Sequence, residues 1–319
     1  MDRIDAHIPS RDIKRAAQLL REGRLVAFGT ETVYGLGADA TNDRAVAQIF
    51  AAKSRPQFNP LISHVADINA ARALAKFDPP AEKLATAFWP GPFTLVLPQV
   101  EQCSVSKLVT AGLPTIAIRV PAHPAAHAML AHANRPIAAP SANPSGAISP
   151  TKALHVRQGL ADKVDFILDG GPATHGLEST IVAVLDGAVT LLRPGSITQE
   201  MIESTIGYPI KTGADSETVP TAPGQLKSHY APNKALRLNA ETFNEGEAIL
   251  SFGPAPQTER LFPLSETGDL IEAAANLFAQ LHAADASSAR AIAVMPIPDE
   301  GLGCAINDRL TRAAAPRGA

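Results

Sequence analysis

Cysteine is nearly missing from this 319-residue chain: Cys103 and Cys304 stand alone, without CxxC spacing or a histidine cluster. This excludes a disulfide framework and a cysteine-ligated zinc site, and leaves two small residues expected to be buried. Aromatics are scarce, with one Trp and three Tyr, which argues against a stacking platform for single-stranded RNA. No run reaches the ~18 apolar residues of a membrane span. Asp2, Arg3, Asp5 and His7 leave no apolar core for a signal peptide, so the expectation is a cytoplasmic protein without membrane contact. Neither charge dominates: 28 Lys and Arg face 31 Asp and Glu, a net −3. A uniformly basic, nucleic-acid-coating surface is thereby excluded, though a local basic pocket is not. No G-x-x-x-x-G-K-[ST] loop occurs, and Gly301-Leu302-Gly303 is too short for a dinucleotide fingerprint. His123 and His127 are spaced i, i+4 but lack the acidic partner of a metalloprotease helix.

What is present is ordinary globular material, 45% hydrophobic and 18% charged. Helical and strand periods alternate through the first two-thirds of the chain. Ser10 is placed to cap a helix with Ile13, Ala16, Ala17 and Leu20 on one face, stopped at Gly23. Further helices are expected over 43–53, 81–88 and 124–133, and strands over 25–28, 61–65, 93–97, 115–120 and 137–139. Runs 179–185 and 189–192 predict a hairpin around Asp186-Gly187. This is an α/β pattern with a mixed sheet, assigned to a first domain over 1–207. Prolines and glycines then dominate 208–233, which predicts a linker, and its Lys227, His229 and Tyr230 lead to the expectation that it covers the active site of the first domain. The alternation restarts over 234–319 as a small second α/β domain, with strands at 248–252 and 291–295 and helices at 269–282 and 302–314.

Three segments concentrate polar groups after apolar runs. Thr30-Glu31-Thr32-Val33-Tyr34-Gly35-Leu36-Gly37 follows a strand, where open α/β sheets place ligands; it is equally a strand-to-helix turn with glycines for unusual backbone angles. Lys53-Ser54-Arg55-Pro56 puts two cations where a helix must stop, suited either to polyphosphate or to the helix dipole. Ala139-Pro140-Ser141-Ala142-Asn143-Pro144 holds small donors in a rigid loop, for phosphate oxygens or merely as a capped turn. Arg119 ends a strand at the same sheet edge. A competing pattern, Ser104-x-x-Lys107, Ser141-x-Asn143 and Lys211-Thr212-Gly213, reproduces the signatures of penicillin-recognising serine enzymes. Its spacing is tight for that fold, and its last motif falls in the linker. A non-catalytic RNA-binding module is the third reading.

The ordered stretches TETVYGLG (30–37), KSRPQFNPL (53–61), WPGPFT (89–94), TAGLPTIAIRV (110–120), AAPSAN (138–143), ESTI (178–181) and LRPG (192–195) resemble the threonylcarbamoyl-AMP synthase, or YrdC-like, family in its long two-domain form. APGQLKSHYAP (222–232) and GLGCAINDRL (301–310) extend the likeness towards the C-terminus; Gly29 departs from it, where the family commonly has Pro. The resemblance implies a twisted mixed open sheet with flanking helices and a concave basic site, plus a small Rossmann-like domain. It implies a nucleotidyltransferase that turns L-threonine, bicarbonate and ATP into threonylcarbamoyl-AMP and pyrophosphate, for the N6-threonylcarbamoyladenosine modification of tRNA. By the family pattern Lys53, Arg55, Asn59, Thr115, Ser141, Asn143, Ser149 and Arg193 contact ATP, with Lys53 and Arg55 central to catalysis and Tyr230 closing from the linker. Thr32, His64, Arg119, Ser179 and the backbone at Ala139 hold threonine. Mg2+ is expected through the phosphates. The tRNA threonylcarbamoyl-transfer machinery is the expected downstream partner, with at most a weak contact to RNA.

Overall fold

The computed structural model describes residues 8–213 and 228–316. Residues 214–227 of the expected 208–233 linker, including Lys227, and the chain ends at 1–7 and 317–319 lie outside the described residues. A mixed ten-stranded sheet comprises β1 (Val26–Gly29), β2 (Tyr34–Asp39), β3 (Ile62–His64), β4 (Phe93–Pro98), β5 (Thr115–Arg119), β6 (Ile137–Ala138), β7 (Phe166–Leu168), β8 (Thr180–Leu185), β9 (Ala188–Arg193) and β10 (Lys211–Thr212). Their order is β10-β9-β8-β4-β5-β3-β6-β2-β1-β7. A second, all-parallel sheet takes β11 (Ala235–Arg237), β12 (Glu247–Phe252), β13 (Leu261–Ser265) and β14 (Ala291–Val294) in the order β11-β14-β12-β13. The helices are α1 (Ser10–Arg21), α2 (Asp43–Lys53), α3 (Ile68–Arg72), α4 (Pro79–Phe88), α5 (Lys107–Thr110), α6 (Pro124–Ala133), α7 (Ala153–Leu160), α8 (Gln199–Ile206), α9 (Leu270–Ala286) and α10 (Leu302–Ala314). None of the described helices is long and apolar enough to cross a membrane.

Local chemistry sets the boundaries. Asn42 caps α2 by accepting from the Arg44 and Ala45 N–H groups, and Ser54 closes it in the left-handed region. Ser10 is not a cap: it is the first helical residue, and Pro9, with φ fixed near the helical value, occupies the cap position. The β8–β9 hairpin turns at Asp186 and Gly187, both at positive φ, as a two-residue turn matched to strand twist requires. Strand β2 replaces the expected turn after Thr30. Gly37 lies under Phe28, and a Cβ there would stand 2.9 Å from the ring, so the glycine serves strand packing. The first sheet also continues beyond residue 207, because Lys211–Thr212 pair with β9. Both cysteines are free and half-buried, not fully enclosed.

Side-chain alternation divides the first sheet's faces. Leu95, Ile116, Ile118, Val182 and Val184 pack against α2, α4 and α8. On the opposite face, α1 and α6 cover Val26 and Phe28. The remainder of that face carries Ile62, Val96, Ala117, Ile181 and Ala183. The second sheet's core takes in Val33, Ile148 and Leu177 from the first domain. Its approach is close: a Cβ on Gly176 (φ +66°) would fall 2.3 Å from the Ala275 carbonyl oxygen on α9.

Candidate active site

The residues that share a face with Ile62 and Ala117 are His64 on β3, Thr94 on β4 and Arg119 at the end of β5. Period-two geometry therefore gathers polar groups from separated strands on one surface. Loops complete the cleft: Thr30, Thr32 and Val33 enter before β2, Arg55 after α2, Ala139–Ser141 after β6, Glu178 and Ser179 before β8, and Arg193 from the end of β9. His229 and Tyr230 close over it, leaving about 50 Å³ open. Tyr230 is buried at φ +63°, an uncommon conformation for a side-chain-bearing residue. Its ring packs 5.5 Å from that of Phe278, and the Arg309 guanidinium carbon lies 5.4 Å from its centroid.

Of the residues expected to contact ATP, Arg55, Ser141, Arg193 and Tyr230 line this cleft. The expected threonine ligands Thr32, His64, Arg119, Ala139 and Ser179 line it too. Lys53 does not. Its Nζ is buried and donates to the Ser141 and Asn143 carbonyls, both at 2.5 Å, tying their loop to the end of α2. Asn143 instead borders a second cavity of about 690 Å³, between the Asn143–Ile148 loop and α9. Ser149 lies behind the cleft, donating to Glu178 Oε1 at 2.5 Å. Asn59 is fully buried, with neither amide atom partnered in the structure. Thr115 is half-buried at the start of β5, outside the cleft. Glu31 and Glu178 lie inside segments that the sequence marks but are given no role there, because a carboxylate beside an anion site reads as inert without its partner; His229 lies in the linker segment expected to cover the site.

Those carboxylates are paired. Arg119 donates to Glu31 Oε1 (2.5 Å), Thr32 Oγ1 (2.8 Å) and the Gly91 carbonyl (3.2 Å). Burial pushes the Glu31 carboxyl up, but the charge and hydrogen bond of Arg119 outweigh it and hold it at about 2. Glu178 receives Arg309 Nε at 2.8 Å from α10, and Arg309 also donates to the Pro194 carbonyl. Beside these pairs the cleft holds two further cations, Arg55 and Arg193. Burial lowers Arg55 to about 10. Burial, then the like charge of Arg55, lowers Lys53 well below its usual value. His229 is held neutral by burial and by Arg55, Lys53, Arg193 and Arg309. His64 is lowered to about 3 by burial and then by Arg119.

Because the folded pKa of His64 lies below its unfolded value of about 6.5, its stabilising contribution is complete above that pH. It is lost as pH falls towards 3. A His64→Gln variant should accordingly show a shallower loss of melting temperature between pH 6.5 and 4 than the parent chain. Parallel curves over that range would show that His64 is not buried neutral.

The chain resembles known proteins over both of its domains. The family model described as "Telomere recombination" (Sua5, YciO, YrdC) matches residues 18–195, and the one described as "Threonylcarbamoyl-AMP synthase, C-terminal domain" matches 197–315. The chain belongs to this family. Threonylcarbamoyl-AMP synthase of Pyrococcus abyssi is 41% identical, over 96% of this chain and 94% of its own. That of Bacillus subtilis is also 41% identical, over 96% and 93%. The crystal structure of P. abyssi Sua5 complexed with L-threonine superposes with a TM-score of 0.87 at 40% identity, covering 95% of this chain and 94% of that one. A shorter family member from Mycobacterium tuberculosis is 36% identical over 65% of this chain and 94% of its own length. The serine-enzyme pattern, by contrast, is dispersed. Ser104, Lys107 and Lys211 are exposed and line no part of the cleft, since the strands that separate them carry them to other edges of the sheet.

Proposed function

We propose that this cleft makes threonylcarbamoyl-AMP from L-threonine, bicarbonate and ATP, releasing pyrophosphate, as a cytoplasmic nucleotidyltransferase. The observation that carries the reading is the convergence of Arg55, Arg193 and Arg119 with Ser141 and Ser179 in one enclosed site. Such a site suits a reaction between anions that must be held against their repulsion. The neutral threonine amine attacks the carbon of bicarbonate, a C–O bond breaks and water leaves with the amine proton; an oxygen of the carbamate so formed attacks the α-phosphorus, and pyrophosphate leaves. No step calls for a covalent nucleophile on the protein.

Arg119 has five N–H donors, three of them engaged by Gly91, Thr32 and Glu31. The remaining two would take the threonine carboxylate. Arg55, Arg193 and Ser141 face the phosphates, while Lys53 holds the Ser141–Asn143 loop. Glu31 and Glu178 are each taken up by an arginine, so neither offers a carboxylate cage. Magnesium would enter on the ATP phosphates, neutralising charge there. The open 50 Å³ is far below the roughly 300–1,000 Å³ of sites for drug-sized ligands, so His229 and Tyr230 must move aside for the nucleotide. The product, a mixed anhydride, would pass to the machinery that transfers threonylcarbamoyl to tRNA.

Purified protein supplied with L-threonine, bicarbonate and Mg-ATP should release pyrophosphate, with most of the release lost when threonine is omitted. Release independent of threonine would overturn the reading. ATP-independent, salt-sensitive RNA affinity without turnover would favour the RNA-binding module instead.

A further inference from the structure

Proton accounting among the buried hydroxyls assigns a role to Thr94. Its side chain is fully buried, and the one partner of its Oγ1 is Ser179 Oγ, 2.7 Å away. A buried hydroxyl proton without an acceptor costs about 1–3 kcal/mol, so Thr94 is the donor in this pair. Arg193 Nη2 donates to the same Ser179 oxygen at 3.2 Å, and also to the Ser179 carbonyl at 2.9 Å. Ser179 Oγ thus receives two protons from the protein and, among the described residues, has no acceptor for its own. Ser179 lines the cleft, so its proton is left for a bound molecule.

Thr32 is arranged the opposite way. Thr30 Oγ1 gives its proton to the Val33 carbonyl at 2.6 Å. With its own proton so used, it takes the Thr32 Oγ1 proton at 2.8 Å, the shortest of three donations to it beside those of the Thr32 and Val33 N–H groups at 3.2 Å, while Arg119 donates to Thr32. Thr32 has committed its proton and can meet a ligand only with a lone pair.

We propose that Thr94 is a positioning residue that makes Ser179 an obligate donor to an acceptor oxygen of the amino-acid substrate, opposite in polarity to the acceptor Thr32. The substrate class rests on the function proposed above; the donor assignment rests on the hydrogen bonds alone. An amino acid carries both complements, a carboxylate oxygen for Ser179 and an amine or hydroxyl proton for Thr32.

The test is L-threonine affinity of the full chain, measured by titration calorimetry. Thr94→Val keeps the shape and removes the donor; it should weaken binding about fivefold, as the loss of one buried hydrogen bond does. Thr94→Ser, which restores the donor, should bind within about twofold of the parent. Ser179→Ala should weaken binding by itself, and adding Thr94→Val to it should change nothing further, because Thr94 acts through Ser179. Thr94→Ala repeats the measurement should the valine variant not fold. Parent-like affinity of Thr94→Val or Thr94→Ala, or an equal loss with and without Ser179, would overturn the proposal. A parent chain that binds no L-threonine would sink the functional reading instead.

Discussion

Arg55→Ala is expected to lower kcat/KM for pyrophosphate release by about a hundredfold to a thousandfold, the usual cost of removing one donor from a preorganised anion site. Arg55 is buried, lines the cleft, and is braced by the Asn59 and Pro60 carbonyls at 3.3 and 3.0 Å. Its fork is therefore oriented before any phosphate arrives. Arg55→Lys keeps the charge without the planar pair of donors and should recover only part of the loss. The same change should release His229, whose protonation is suppressed first by burial and then by Arg55 ahead of the other cations. Its NMR titration should move towards higher pH in Arg55→Ala. Unchanged steady-state kinetics with an intact melting transition would remove Arg55 from the phosphate-binding set.

Arg309→Leu should be the most destabilising single change in the second domain. Arg309 has no exposed surface and joins Glu178 to α10. Truncating one partner of a buried ion pair leaves the other charge uncompensated, at a cost on the order of 3–5 kcal/mol. The loss should also reach the cleft, since Glu178 accepts from Ser149 and immediately precedes Ser179 in the chain. Turnover should fall at temperatures where the variant is still folded. Combining Arg309→Leu with Glu178→Gln should recover much of the lost melting temperature without restoring turnover. If the double variant melts no higher than Arg309→Leu, the stranded carboxylate is not the cause.

Much of this arrangement is legible in the sequence where periodicity is strong. Helices α2, α6 and α10 fall on the residues their patterns predict: Asn42 and Ser54 bound the first, Pro124 and Asn134 the second, and Gly301 and Pro316 flank the third. Strand β2 is harder to read: its six residues are all buried and include two glycines, so no alternation survives. Strand β13 contains Pro263, a residue tolerated because this strand is the sheet's edge. In the cleft, reactive-looking residues in short motifs are visible, but their directions are not. Lys53 and Arg55 are two positions apart, yet one faces backbone carbonyls and the other the cavity. The bond between Arg309 and Glu178 spans 131 residues, a separation over which a single chain gives no hint of contact.

The Glu178–Arg309 pair also bears on how such chains can change length. A descendant that lost the second domain would return Glu178 to water without its arginine, while one that first replaced Glu178 would leave Arg309 to Asp308 and the Pro194 carbonyl. Each step gives up the ion pair of Glu178 with the second domain, so a single pair of side chains bears on whether the long form is kept. The short form from M. tuberculosis, which spans only 65% of this chain, indicates that the family also has a one-domain solution. A lineage moving between the two gives up the bond from Glu178 to α10 and opens the cleft's rear wall to water.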